Sequence, residues 1–184
     1  MNSHRFGEKY VNILQSSLRA WLKPVLFLGT GLLPCPSIAA ADMLAVTTGH
    51  GNIFSQGSDA VFLSYQKEAP RLFHRESRYD VTLGYWSGST HNSALTLARV
   101  MRWKLSTESY FAGTLGIGVV DRTTDHLGTT GQFVVRLAFA RRFGKYELSL
   151  GETHYSNGKT ALQLNWHGPN TGEDFLTVML AREF

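Results

Sequence analysis

The chain has 184 residues, of which 43% are hydrophobic and 12% aromatic. This length allows one domain with a sizeable core and is short for two domains of ordinary size. The formal net charge is +4, but residues 42–184 alone carry fourteen Lys/Arg against thirteen Asp/Glu. Because this part is nearly neutral, its charge gives no support for a nucleic-acid-binding protein.

Residues 1–41 have the pattern of a secretory signal peptide. Basic side chains precede the apolar segment Val25–Leu33, which leads into Ser37-Ile-Ala-Ala-Ala41. This order predicts cleavage after Ala41, and the apolar segment is shorter than the about 20 residues of a membrane-spanning helix. The single cysteine, Cys35, lies in this part. The mature chain is therefore predicted to lack disulfides, a thiol nucleophile and thiolate metal ligands.

Residues 42–184 contain short segments in which large hydrophobic residues alternate with small or polar ones, which is the period of a β-strand. In Phe133–Phe139 every second residue is large and apolar, and in Phe111–Val119 such residues alternate with Ala, Thr and Gly. A row of tiny residues suits the crowded lumen of a narrow barrel. Eight strands are predicted, near Leu44–Gly51, Ala60–Gln66, Arg78–Ser87, Ser93–Trp103, Tyr110–Val120, Gly131–Ala140, Tyr146–Ser156 and Glu173–Phe184.

The fourth predicted strand departs from strict alternation. Leu95, Leu97 and Val100 do not share one parity. An extra residue in one strand shifts the faces of all residues after it, so this pattern predicts a β-bulge.

The last predicted strand ends the chain on an aromatic residue. Counting back by twos from Phe184 gives Arg182 and then Leu180, Val178 and Leu176. Arg182 is the one charged residue in this apolar row, and an arginine at the membrane boundary can extend its guanidinium group to water. A terminal aromatic on such a strand is typical of outer-membrane proteins and is the feature that the barrel assembly machinery recognises. With the signal peptide, it favours an all-β, eight-stranded antiparallel transmembrane β-barrel in a Gram-negative outer membrane over a soluble sandwich.

The seventh predicted strand ends in a pair of reactive side chains. Both termini of an eight-stranded barrel lie on the periplasmic side, so this strand runs outward to the cell surface. Its parity puts Glu152, His154 and Ser156 on the same face as Leu148 and Leu150. The Cα atoms of His154 and Ser156 are then about 6.5 to 7 Å apart, and the imidazole can reach the hydroxyl.

The eighth predicted strand supplies a carboxylate beside this pair. Counting from Phe184 puts Asp174 on the lipid-facing side and Glu173 in the lumen. Because the two strands are consecutive and antiparallel, a carboxylate there can lie beside His154. Ser156, His154 and Asp174 are therefore a candidate nucleophile, base and orienting acid. Glu173 is the alternative acid, since a bulge would exchange the two faces.

These residues resemble the lipid A 3-O-deacylase family of the PagL type. The likeness is sharpest in Gly151-Glu-Thr-His-Tyr-Ser-Asn157 and Pro169-Asn-Thr-Gly-Glu-Asp174, with weaker matches at Leu83–Trp86 and Gly116–Val119. The resemblance implies an outer-membrane barrel that hydrolyses the 3-O-linked ester of lipid A, or lipopolysaccharide. It further implies a Ser-His-Glu triad on the lipid-facing wall, without metal or cofactor.

By this resemblance Ser156 is the nucleophile and His154 the general base. Asn157, Gly158 and Asn170 lie where amide groups near an oxyanion are expected. The chain departs from the family in its acid, because Asp174 stands where the family has a glutamate.

The loop Gly158–Gly168 is longer than the usual loop of the family, which is a second departure. Its Leu162, Leu164 and Trp166 are interpreted either as a cover for an acyl chain or as an insertion into the outer leaflet.

Two rival functions stay open at this point. A structural or adhesive small barrel has no need of the triad, whereas an outer-membrane phospholipase would use similar chemistry on another lipid. A homodimer is also compatible with the pattern. The other mature histidines show no pairing with a carboxylate at metal-ligand spacing and are interpreted as loop or strand-end residues. They are His50, His74, His91, His126 and His167.

Overall fold

The computed structural model describes residues 42–51, 57–88, 90–159 and 171–184, and these form a closed antiparallel barrel. Consecutive strands pair along the chain, and β1 also pairs with β8. The predicted all-β, eight-stranded fold is confirmed, whereas the predicted signal segment lies outside the described residues. The strands are β1 (Met43–Gly51), β2 (Ser58–Leu72), β3 (Arg75–Gly88), β4 (Asn92–Lys104), β5 (Ser109–Val120), β6 (Gly131–Phe143), β7 (Tyr146–Ser156) and β8 (Glu173–Glu183).

The two ends of the barrel differ in the length of their connections. One end, called here the short-turn end, carries residues 73–74, 105–108 and 144–145. Phe73 and His74 both have positive φ, as in the type I′ turns that match the twist of a hairpin. The opposite end, called the long-loop end, carries the other four connections. Among the described residues, no helix is long and apolar enough to cross a bilayer.

The outer wall of the barrel is apolar over its middle. Large hydrophobic side chains from all eight strands point away from the lumen and are exposed, among them Leu83, Ile117 and Leu137. An apolar band of this extent is unfavourable in water and is the surface that a hydrocarbon layer covers. The wall is therefore lipid-facing, as the period-two pattern of the sequence predicts.

The lumen is filled by the side chains of the barrel itself. Near the long-loop end, the rings of Phe62, Trp86, Tyr155 and Phe175 pack together and are fully buried. Toward the short-turn end the lumen is polar. There, Arg102 pairs with Glu147, Arg78 pairs with Glu183, and Gln66 donates a hydrogen bond to Asp80. The packed lumen leaves the outer wall and the loops as the surfaces that can meet a lipid.

The bulge predicted for the fourth strand is wrong. β4 pairs with β3 and β5 without a shift of register. Leu95 and Leu97 point outward, whereas Val100 is 3% exposed and faces the lumen. The alternation fails in the sequence because one apolar residue packs inside the barrel. A register shift is found instead in β2, between Ala69 and Leu72.

The crowding of the lumen can be tested at Gly116. A Cβ atom there would lie 2.5 Å from the Cβ atom of Ala98, whereas one at Gly131 would meet nothing within 4 Å. We expect Gly116→Val to lower the free energy of unfolding by about 1–3 kcal/mol, which is typical of overpacking. Gly131→Val is the matched control. Urea titration in detergent measures the stability of both variants, with the electrophoretic mobility shift of folded barrels as the readout. Equal stabilities would contradict the packed lumen.

Candidate active site

β7 presents His154 and Ser156 on the outer wall at the long-loop end. Both side chains are partly exposed, while Thr153, Tyr155 and Asn157 between and beside them are buried. The ring of Tyr155 lies 5.3 Å from that of Trp86 and 6.5 Å from that of Phe175, measured between centroids. This packing holds the backbone of the strand and thereby fixes the two outward residues.

Asp174 lies directly opposite His154 on the neighbouring strand. His154 Nδ1 is 2.5 Å from Asp174 Oδ1, and the two side chains are 36% and 50% exposed. A carboxylate at Nδ1 favours the tautomer that keeps its proton there, which leaves the lone pair on Nε2. The buried ring of Phe175 anchors the backbone beside Asp174 in the same aromatic cluster.

Glu173 has the opposite orientation. It lies opposite Tyr155 in the register of β7 and β8, and its side chain is fully buried. The structure therefore brings Asp174 to the imidazole and turns Glu173 into the lumen.

Ser156 lies two residues beyond His154 on the same face. Within the described part of the chain, no hydrogen bond joins the Ser156 hydroxyl to the imidazole. Two residues of a strand span about 6.5 to 7 Å between Cα atoms, a separation that side-chain rotation can bridge. Hydrogen bonds of catalytic groups are often longer before substrate binds and shorten in the complex. The arrangement can thus transfer a proton from Ser156 to His154 once the side chains turn toward each other.

The loop between β5 and β6 supports both ends of the connection that follows Ser156. The side-chain amide of Asn157 donates to the Leu127 carbonyl at 3.0 Å, and the Gly172 amide donates to the His126 carbonyl at 3.0 Å. Leu127 itself is fully buried against the aromatic cluster. The loop is therefore a platform that holds the residues flanking the His-Asp pair.

Gly172 lies against the imidazole of His154. Its φ is +81°, a value that favours glycine, and a Cβ atom there would lie 2.5 Å from His154 Cε1. A glycine at this position thus permits the close approach of the backbone to the ring. The Pro-Asn-Thr-Gly segment of the sequence contains this glycine, and its physical role is to leave room for His154.

The three residues predicted to lie near an oxyanion, Asn157, Gly158 and Asn170, differ from one another in their surroundings. Asn157 is buried, and besides its bond to Leu127 it accepts a hydrogen bond from the Lys159 amide at 3.0 Å. Gly158 is buried and has a φ of +69°. Asn170 lies outside the described residues, as do the predicted loop residues Leu162, Leu164 and Trp166.

A second His-Asp pair lies on the same outer wall. His50 of β1 and Asp59 of β2 are opposite each other, and their side chains are 2.8 Å apart. Spacing along the chain did not reveal this pair, since it depends on the register between two strands. The residue two positions beyond His50 is Asn52, so no serine follows it as Ser156 follows His154. A cross-strand His-Asp pair alone therefore does not define a serine esterase site.

Among residues 42–51, 57–88, 90–159 and 171–184, no three His, Cys, Asp or Glu side chains come close enough together to hold a metal ion.

The chain matches a family model and is similar to solved structures of outer-membrane and transmembrane β-barrels. Residues 59–183 match the family model described as lipid A 3-O-deacylase (PagL). Among solved structures, the chain is similar to the outer membrane enzyme PagL, with a TM-score of 0.60 and 17% identity over 77% of this chain and 99% of that one. It is also similar to a de novo designed transmembrane β-barrel, with a TM-score of 0.54 and 12% identity over 82% of this chain and 100% of that one. No curated protein matches the chain by sequence.

The anchoring role of Asn157 is open to a direct test. Asn157→Ala removes one donor from the buried carbonyl of Leu127, which still accepts from the Thr129 amide at 2.8 Å, so the expected cost is that of one net hydrogen bond, about 0.5–1.5 kcal/mol. We expect the free energy of unfolding in detergent to fall by that amount. Thr48→Ala, on the exposed face of β1, is the control. An unchanged stability of Asn157→Ala would show that this contact does not hold the loop.

Proposed function

The chain belongs to the lipid A 3-O-deacylase (PagL) family, and we propose that it hydrolyses the 3-O-linked acyl ester of lipid A. As a member of this family it is an outer-membrane protein. The observation that carries the proposal is the bond between His154 and Asp174 on the lipid-facing wall, with Ser156 two residues farther along the strand. In this proposal Ser156 is the nucleophile, His154 the general base and Asp174 the acid that orients it.

The reaction follows from these three roles. His154 Nε2 takes the proton of the Ser156 hydroxyl while the oxygen attacks the ester carbonyl carbon. When the tetrahedral intermediate collapses, the sugar oxygen leaves and receives that proton from His154. Water, deprotonated by His154, then attacks the acyl-serine, and His154 returns that proton to the Ser156 oxygen as the bond to the acyl carbon breaks and the fatty acid is released. Asp174 stabilises the imidazolium that forms in both steps.

The developing negative charge on the carbonyl oxygen needs hydrogen-bond donors. We assign them to the turn that follows Ser156 and to the segment before β8, where Asn157, Gly158 and Asn170 lie in the sequence. The side-chain amide of Asn157 is engaged with Leu127, so in this assignment Asn157 contributes by shaping the turn. Gly158 then supplies a backbone N–H and Asn170 an amide.

The substrate reaches this site from the side. Since the lumen is filled with side chains, a lipid has no route through the barrel, but it can diffuse in the outer leaflet against β7 and β8. Export by a signal peptide cleaved after Ala41, and recognition of Phe184 by the barrel assembly machinery, complete the proposal for how the chain reaches this membrane.

Mass spectrometry of lipid A tests the proposed reaction. We expect lipid A from cells that express the wild type to lose the mass of one ester-linked acyl chain, and lipid A from cells that express Ser156→Ala to stay intact. Removing the nucleophile of a serine hydrolase lowers the rate by roughly a thousandfold or more. Intact lipid A beside folded wild-type protein would refute the deacylase, and loss of phospholipid acyl chains instead would identify a phospholipase.

The two His-Asp pairs provide a matched test of the acid. Asp174→Ala removes the partner of His154, and we expect kcat to fall by roughly a hundredfold or more. Asp59→Ala breaks the equivalent pair with His50 and is expected to retain wild-type kcat. Asp174→Glu restores a carboxylate and should recover part of the activity.

Activity of the purified variants on lipid A in detergent micelles gives these rates. Glu173→Ala is a further comparison, since its side chain is buried in the lumen. A loss of kcat in Glu173→Ala, with activity retained in Asp174→Ala, would contradict the assignment of the acid.

A further inference from the structure

Arg99 occupies an unusual position on the outer wall. It is the outward-facing residue of β4 between Leu97 and Met101, on the face that the hydrocarbon layer covers. A guanidinium group is always charged in proteins, so a permanent positive charge stands among apolar side chains here. Charged residues on the membrane-spanning part of a protein are costly and are typically functional.

The head group of Arg99 is held in place by neutral groups. Its Nε and Nη2 atoms donate to the Ser77 hydroxyl at 3.2 and 2.8 Å, and Nη2 also donates to the Pro70 carbonyl. Its Cζ atom lies 4.5 Å from the centroid of the Tyr79 ring. Pro70 lies in the register shift of β2, where it has no Cα partner on β3. The irregularity of β2 thus supplies one of the acceptors that fix Arg99.

A second cation, Lys67, lies in the same cross-strand row. It is opposite Tyr79 of β3, and Tyr79 is opposite Arg99 of β4. Because neighbouring strands are about 4.8 Å apart, the Cα atoms of the two cations are separated by about 10 Å, with the tyrosine between them. Lys67 is exposed. Two long side chains at this separation can both reach a group that lies over the tyrosine.

Neither cation is neutralised by a carboxylate in the part of the chain that the structure describes. Arg99 and Lys67 form no ion pair there. The carboxylate of Asp42 accepts a hydrogen bond from the Tyr65 hydroxyl. Glu68 directly follows Lys67 and points to the other face of β2, because side chains alternate along a strand. An anion from outside the barrel would therefore stabilise both charges, and the anionic groups that meet this wall are lipid phosphates.

We propose that Arg99, Lys67 and Tyr79 form a binding site for the phosphate of an anionic phospholipid in the leaflet at the short-turn end. The short connections of outer-membrane barrels lie on the periplasmic side, and phospholipids form the leaflet there. A guanidinium group bonds phosphate oxygens through its fork of N–H donors, and the lysine ammonium group adds a second charge. Because Arg99 is already held, little side-chain entropy is lost on binding. The inference does not depend on the proposed ester hydrolysis.

Two phospholipids that differ only in their headgroups test the inference. The full-length protein, folded in non-ionic detergent micelles, is titrated with dioleoyl phosphatidylglycerol or with dioleoyl phosphatidylcholine, and native mass spectrometry measures bound lipid. The variants are Arg99→Gln, Arg99→Lys and Lys67→Gln. Arg141→Gln is the matched control, because Arg141 is also exposed toward the short-turn end but pairs with Glu108 at 3.3 Å.

We expect the wild type and Arg141→Gln to bind phosphatidylglycerol roughly tenfold or more tightly than phosphatidylcholine. Arg99→Gln and Lys67→Gln should each lose roughly fivefold of this preference, the value of one cation near an anionic lipid surface. Arg99→Lys should retain part of it, since the charge stays and the fork is lost. Lys67→Gln keeps the test decisive if Arg99→Gln folds poorly, because the Lys67 side chain is exposed.

Three results would overturn the inference. The first is equal binding of the two lipids by the wild type, and the second is a preference that persists in both Arg99→Gln and Lys67→Gln. The third is an equal loss in Arg141→Gln, which would indicate a general effect of positive charge at this end. Glycerol 3-phosphate distinguishes a lipid site from a site for free phosphate, and displacement of the lipid by an equal concentration of it would also contradict the proposal.

Discussion

The filled lumen is the constraint on which the rest of this structure depends. Closing eight strands into a barrel satisfies their backbone hydrogen bonds but leaves an interior that its own side chains occupy. The alternation of side chains along the strands then sends every second residue of their regular parts to the outer wall. Chemistry that needs a lipid substrate must use those outward residues, and β7 provides His154 and Ser156 among them. The buried rings of Tyr155 and Phe175 show how the crowded interior holds the exterior site in place.

The site needs more than a histidine next to a carboxylate. The wall carries two cross-strand His-Asp pairs, at His50 and at His154. The second pair has a serine on the same face, a glycine whose backbone approaches the ring and a supporting loop that anchors both flanks. Gly172 is placed by its hydrogen bond to the His126 carbonyl. These features support the proposed serine-esterase mechanism at His154, whereas the position two residues beyond His50 is an asparagine, Asn52.

Much of this arrangement could be predicted from the sequence because side chains alternate along a strand with a period of two residues. Parity alone put His154, Ser156 and Asp174 on the outer face and Glu173 in the lumen, as observed. The prediction from parity was wrong at Val100, because an apolar residue that packs inside the barrel gives the same sequence pattern as a bulge. Contacts that depend on register or on loop packing, such as the hydrogen bond of Asn157 to Leu127, carry no periodic signal and became visible only in the structure.

In the proposed mechanism, Ser156 on the lipid-facing wall is the nucleophile that His154 activates. A fluorophosphonate with a long alkyl chain, which reacts with activated serines, tests this most directly when the labelled protein is digested and mapped by mass spectrometry. We expect one adduct on Ser156 in the folded wild type and none in His154→Ala. An adduct on another residue, or a hydrolytically active protein that takes up no label, would contradict it.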